Sequence, residues 1–236
     1  RPKTASTSPR KWNRFSPIEP SGYLCAISSN FFTKNVWITA RHVINDCSEV
    51  YLKHGPNKKF IEKILIHPNS DLALFKYSSF DIRNFNIAQK ISEKSFSSGY
   101  PAGNPGDAAL QLLGFMAMEA RSYNILEKHS IYAVLDKNPR NLLSFGGLSG
   151  GPTFDDYGLI NGVVVSEFKR RGQIGAVGLN QINWLIAASN KEAEFFDKIS
   201  KTNENAIKLD KIDKNYKKIG NELRKSRSIS KLICIA

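Results

Sequence analysis

Cysteine is scarce in this chain. Its 236 residues hold three, Cys25, Cys47 and Cys234, which excludes a scaffold built on a dense set of disulfides. Their spacing is not that of a metal site. Cys25 and Cys47 flank the segment around His42 and are the pair placed to bridge across it; such a bond would mark an oxidising compartment. Long apolar runs are absent, so no segment has the length of a transmembrane helix. No secretory leader is visible, and the chain opens on Arg1 rather than Met, which reads as a trimmed or processed N-terminus. Export therefore stays open, with a secreted or periplasmic site preferred to a cytoplasmic one. Acidic residues are outnumbered: 21 Asp and Glu face 34 Lys and Arg, a formal net charge of +13. The basic residues are dispersed, with no RNA-recognition signature and no zinc-finger spacing, so specific nucleic-acid binding is not expected. The excess reads as solubility and weak attraction to acidic surfaces.

What is present is an ordinary globular composition, 41% hydrophobic and 23% charged, enough chain to bury one large core or two small ones. Residues 1–20 carry four prolines among Ser, Thr, Lys and Arg, and read as an extended arm. From Gly22 to about Val177 short β-rich runs alternate with turn residues, for example Val36-Trp37-Ile38-Thr39-Ala40 and Leu72-Ala73-Leu74-Phe75. That pattern predicts an all-β barrel or sandwich. The polar stretch 82–94 reads as a link between two strand clusters. Beyond Leu179 a helix is expected over 180–188, capped by Asn180 or Asn183. Residues 189–236 read as a charged helical tail, with Leu209, Ile212, Tyr216, Ile219 and Leu223 forming an apolar stripe. That stripe fits packing on the barrel or on a further domain first, and a short coiled coil, partner helix or self-association second. The apolar end Leu232–Ala236 reads as a core or membrane-touching segment.

Glycine is concentrated at one place. Gly146-Gly147-Leu148-Ser149-Gly150-Gly151-Pro152 sets four glycines around one serine. Either this is a flexible loop, or it is a turn that exposes Ser149 Oγ and turns the N–H groups of Gly147 and Ser149 toward one spot, as an acyl-transfer site requires. Two other segments bear on the choice. His42 follows the apolar run Trp37–Ala40, and Asp71 immediately precedes Leu72–Phe75. An Asp there can be drawn inside, where the N–H of a histidine Nδ1 is a suitable donor. Taken singly, His42 fits a structural histidine and Asp71 a strand-start cap. Together they give His, Asp and Ser in the chain order of one known type of catalytic triad.

On these residues the sequence resembles the chymotrypsin-fold (trypsin-like) serine peptidases, in the short bacterial branch of glutamyl endopeptidases and high-temperature-requirement proteases. The resemblance covers about residues 21–188. It rests on Ile38–Val43, Asp71–Leu74, Gly99-Tyr100-Pro101, Phe145–Pro152 and Gly175-Ala176-Val177. It implies two six-stranded antiparallel β-barrels, the first over about 21–80 and the second over about 95–179, with a helical extension behind them. It also implies a serine endopeptidase that cleaves protein or peptide substrates. Ser149 is the implied nucleophile, His42 the base and Asp71 its orienting partner, while the N–H groups of Gly147 and Ser149 form the oxyanion hole. This chemistry requires no metal or cofactor, and activity is expected to fall in acid as His42 protonates.

The sequence departs from the family at Leu148, where digestive relatives carry an Asp that pairs with a new N-terminus; leucine excludes that route of activation. Arg41, where Ala or Asn is commoner, is expected to face solvent. The resemblance implies a specificity pocket between Leu143–Phe145 and Val163–Glu167, lined by Leu143, Ser144, Val164, Val165, Ser166 and Glu167. Ser144 matches a threonine of the glutamyl endopeptidases. Their pocket histidine is missing near Val164, which argues against glutamyl specificity. Leu143 and Val164 suit a small or apolar side chain, and Glu167 a basic one. Two other readings stand beside the active peptidase: a catalytically weak fold kept for binding, and the peptidase output domain of a larger protein.

Overall fold

A computed structural model describes residues 24–27, 36–54, 57–61, 64–77, 85–120, 123–191 and 215–235. The expected N-terminal arm, and Leu209 and Ile212 of the tail, lie outside the described residues. Six strands come first: β1 (Leu24–Ile27), β2 (Val36–Ala40), β3 (Glu49–His54), β4 (Asn57–Phe60), β5 (Ile64–Ile66) and β6 (Leu72–Lys76). A second group follows: β7 (Lys94–Gly99), β8 (Gly106–Ala120), β9 (Ile125–Asn138), β10 (Pro152–Phe154), β11 (Ile160–Phe168) and β12 (Gln173–Val177). The chain then forms α1 (Leu179–Ser189), α2 (Tyr216–Lys225) and a last strand, β13 (Ile229–Ile235).

The second group closes into a six-stranded barrel in the order β10-β11-β12-β9-β8-β7. The first is a seven-stranded sheet, β4-β3-β13-β1-β2-β6-β5. It thus has one strand more than expected, and the extra strand comes from the end of the chain. β2 and β6 are continuous apolar runs because both of their faces are covered. Trp37 and Phe75 stack at 5.8 Å between ring centroids. On the barrel side Phe154 packs against Phe85 at 4.9 Å and Phe96 at 4.8 Å. These rings belong to one hydrophobic core that runs between the two units. Phe85 thus brings part of the supposed polar link into the core.

Residues 189–236 are not helical throughout. α2 does bury Tyr216, Ile219 and Leu223, as the stripe predicted, but it spends them on this chain's own core. Gly220 lets α2 come close to the barrel: a Cβ there would stand 2.0 Å from Asp107 Oδ1. Arg224 grips the same buried carboxylate with both guanidinium ends, at 2.6 and 3.1 Å. β13 then runs between β1 and β3, with Leu24 opposite Leu232 and Leu52 opposite Leu232 on the other side. This insertion also sets the disulfide. Cys47 is bonded to Cys234, not to Cys25. Cys234 sits opposite Val50 at the start of β3, close to Cys47, whereas Cys25 lies opposite Lys231 on the far side of β13. α1 begins at Gly178, whose carbonyl accepts from Ile182 N–H, so neither Asn180 nor Asn183 caps it.

Candidate active site

Strand register brings His42 and Asp71 together. β2 and β6 are antiparallel with Ala40 opposite Leu72, so the residues just past β2 meet those just before β6. Arg41 N–H donates to the Asp71 carbonyl at 3.1 Å, and a short 3₁₀ turn over Arg41–Val43 then presents His42. Asp71 is buried, and both of its carboxylate oxygens go to His42. Oδ2 lies 2.6 Å from Nδ1, and Oδ1 accepts the His42 backbone N–H at 2.8 Å. This double hold leaves Nε2 as the ring nitrogen turned away from Asp71.

Ser149 lies in the turn before β10, on the barrel side, and is 3% exposed. The glycines on either side serve its shape. Gly147 has φ 89° and Gly150 φ 83°, the left-handed region that residues with a Cβ avoid. Leu148 N–H donates to the Phe145 carbonyl and Gly150 N–H to the Val164 carbonyl, both at 2.8 Å. Among the described residues, the N–H groups of Gly147 and Ser149 between them donate to no acceptor. Nor does any hydrogen bond among those residues join Ser149 Oγ to His42. The structure thus pairs His42 with Asp71 and sets Ser149 in a shaped turn on the other unit.

Leu148 holds that turn from inside. It is fully buried with Ala108, Leu110, Tyr132, Val164, Ile174 and Ala176. Apolar burial thus occupies the position at which the resemblance to digestive trypsin-like enzymes would have placed an ion pair. Leu148→Ala is expected to destabilise the protein by about 2–5 kcal/mol, measured by denaturant unfolding.

The residues expected to line the specificity pocket have different surroundings. Val164, Val165 and Ser166 are buried on β11, and Val164 ties β11 to the Ser149 turn through its backbone. Leu143 is 84% exposed and lines no interior wall. Glu167 accepts from Ser144 Oγ at 2.7 Å and from Phe145 N–H at 2.9 Å, while Gly146 N–H donates to Ser144 Oγ at 3.0 Å. A carboxylate therefore clasps the segment leading into Gly147.

The β8–β9 hairpin adds residues that sequence reasoning missed. It reaches across to the His42 side, where the Arg41 guanidinium lies 4.4 Å over the Tyr123 ring. Arg41 is thus stacked on the hairpin tip rather than standing free in solvent. Burial first, and the nearby charges of Asp71 and Asp46, push the Tyr123 hydroxyl up to about 12. Nearer the barrel, Glu127 accepts hydrogen bonds from Ser70 Oγ and Asp71 N–H. The signal available in sequence was Glu127-Lys128-His129 inside a strand pattern: two polar groups on one face, two residues apart.

No protein-family model matches this chain, and no curated protein does. Solved structures do. The active form of the Rv3671c protease from M. tuberculosis aligns over 84% of this chain and 96% of its own, with TM-score 0.58 and 15% identity. The inactive form of that protease aligns over 72% and 89%, with TM-score 0.54 and 15% identity. An HtrA-type protease, AlgW, with a tripeptide, aligns over 76% and 62%, with TM-score 0.52 and 12% identity. The fold is that of the chymotrypsin-type serine proteases. The chymotrypsin-type arrangement here is one closed barrel, one seven-stranded sheet and a shared core. Among the described residues no three His, Cys, Asp or Glu side chains are grouped to hold a metal ion. No helix among them is long and apolar enough to cross a membrane.

Proposed function

We propose that the chain is a serine endopeptidase that cleaves protein or peptide substrates through an acyl-enzyme. The observation that carries this reading is the His42–Asp71 pair, a 2.6 Å contact reinforced through the His42 backbone. Asp71 holds the proton of His42 on Nδ1, so Nε2 is free to accept one. Ser149 Oγ adds to the substrate carbonyl carbon while its proton passes to Nε2. The N–H groups of Gly147 and Ser149 receive the oxyanion, worth about 2.7–4 kcal/mol for one such donor. The amine then leaves with the proton from Nε2, and water repeats the sequence in reverse to free the acid and Ser149. The buried anchor at Leu148 favours a turn that is shaped without a new N-terminus. Glu167 beside Ser144 repels an acidic substrate side chain, which supports a basic or small one over glutamate. The Cys47–Cys234 bond favours an oxidising compartment, secreted or periplasmic.

The test is labelling by a fluorophosphonate, which reacts with activated serines irrespective of specificity. Label recovered on the peptide containing Ser149 supports the proposal. Folded protein that takes up no label, or carries it on another residue, overturns it.

A further inference from the structure

Glu127 brings a carboxylate into a place where charge is costly. Its side chain, on β9, is 3% exposed. A buried carboxylate persists where donors fill its oxygens. Here Ser70 Oγ donates to Oε2 at 2.7 Å and Asp71 N–H to Oε1 at 2.9 Å. His129 Nε2 stands 3.2 Å from Oε1. Burial works to raise the Glu127 pKa, but His129, Ser70 and the Asp71 N–H outweigh it and hold it below the usual carboxylate range. The group is therefore an anion at neutral pH, and an acceptor only.

Two of these donors, the Ser70 hydroxyl and the Asp71 backbone N–H, come from the turn that delivers Asp71. The other polar atoms of Asp71 are engaged within its own unit: the carboxylate with His42, and the carbonyl with Arg41 N–H. Its N–H is held from the other unit, by Glu127. We propose that Glu127 is a positioning residue for the triad. From the barrel it fixes the Ser70–Asp71 turn, and so aims the Asp71 carboxylate at His42. This rests on the peptidase reading above. The titratable groups around it are Asp71, His67 and His129, with Glu119 on the same recess, and Tyr123 and His42 on the other side of Asp71.

The experiment compares Glu127→Ala with Glu127→Gln in the full chain. Glu127→Ala is expected to slow fluorophosphonate labelling by on the order of 10- to 100-fold, the size of effect a lost orienting partner or a small misplacement produces. It should also move the acid limb of the labelling rate to lower pH, because a misaimed Asp71 stabilises the His42 imidazolium less. The low-field proton resonance of the His42 Nδ1–Asp71 hydrogen bond should disappear with it. Glu127→Gln keeps a carbonyl acceptor for the Asp71 N–H, and should retain the resonance and a rate close to that of the unmutated protein. Unchanged rate and acid limb in Glu127→Ala overturn the proposal, as does an equal loss in both variants, which would assign the effect to charge. Should Glu127→Ala not fold, Ser70→Ala decides: a severalfold slower rate supports the proposal and an unchanged one overturns it. Failure of the peptidase reading has a different mark, an unlabelled Ser149 in the unmutated protein, and the proton resonance then still reports the aim of Asp71 in each variant.

Discussion

Ser149→Ala is expected to lower peptide hydrolysis by on the order of a million-fold, and Asp71→Asn by about ten-thousand-fold, both without loss of the folded state. The first change removes the attacking oxygen and leaves the N–H groups of Gly147 and Ser149 in place. The second follows from the hydrogen bonds around Asp71. Two donors face its carboxylate: the His42 backbone N–H and the His42 ring at Nδ1. The backbone N–H donates whatever the ring does. An asparagine therefore places its carbonyl on the backbone N–H and its NH₂ group against Nδ1. Nδ1 must then be the acceptor, the ring proton moves to Nε2, and Nε2 can no longer take the proton of Ser149. Hydrolysis of a peptide mixture and the rate of fluorophosphonate labelling both measure the loss. Asp71→Asn retaining activity within tenfold would remove Asp71 from the mechanism. Ser149→Ala still taking up label would do the same for Ser149.

The parts of this site that were legible in sequence are those carried by short contiguous motifs. A serine among glycines, a histidine at the end of an apolar strand and an aspartate at the start of another each state their local geometry. Pairing β2 with β6 needs only one long connection, and its register follows from two apolar runs buried on both faces. The all-β character of the second unit was likewise announced by its spaced strands, the first of which, β7, begins at Lys94. What stayed hidden depends on partners far apart in the chain. Glu127 meets Ser70 and Asp71 across 57 and 56 residues, and a charged residue in a strand ordinarily points to solvent. Cys47 and Cys234 are 187 residues apart. Nothing local distinguishes Cys234 from Cys25 as the partner, because the choice is made by which strand lies between β1 and β3. Leu148 read as a departure from the pattern of the peptidases the sequence resembles; its burial among six second-barrel residues explains how an apolar side chain can hold the same turn.

Deleting β13 by ending the chain after Ser228 is expected to abolish folding rather than trim a tail. β13 is an interior strand. Four residues of β1 and five of β3 pair with it, on opposite sides. Removing it leaves two rows of backbone N–H and C=O groups facing a gap, each costing free energy if left buried and unpaired. It also removes Ile229 and Leu232, both fully buried, where truncation of even one such side chain to alanine costs about 2–5 kcal/mol. The Cys47–Cys234 bond goes as well, a loss of about 2–5 kcal/mol in its own right. Together with the unpaired backbone groups, these losses are as large as the whole stability of a typical domain, about 5–15 kcal/mol. Circular dichroism and thermal melting of the shortened chain should therefore show no cooperative transition, and gel filtration should show an expanded or aggregated species. Cys234→Ser, which keeps the strand and loses the bond, should melt cooperatively at a lower temperature. A shortened chain that melts like the full one would mean that β1 and β3 can pair without β13. The consequence reaches the site through the sheet itself. β1 pairs β2, β2 delivers His42, and β13 pairs all four residues of β1 from its other side. Residues at the far end of the chain thus hold the histidine side of a site whose serine is supplied by the barrel.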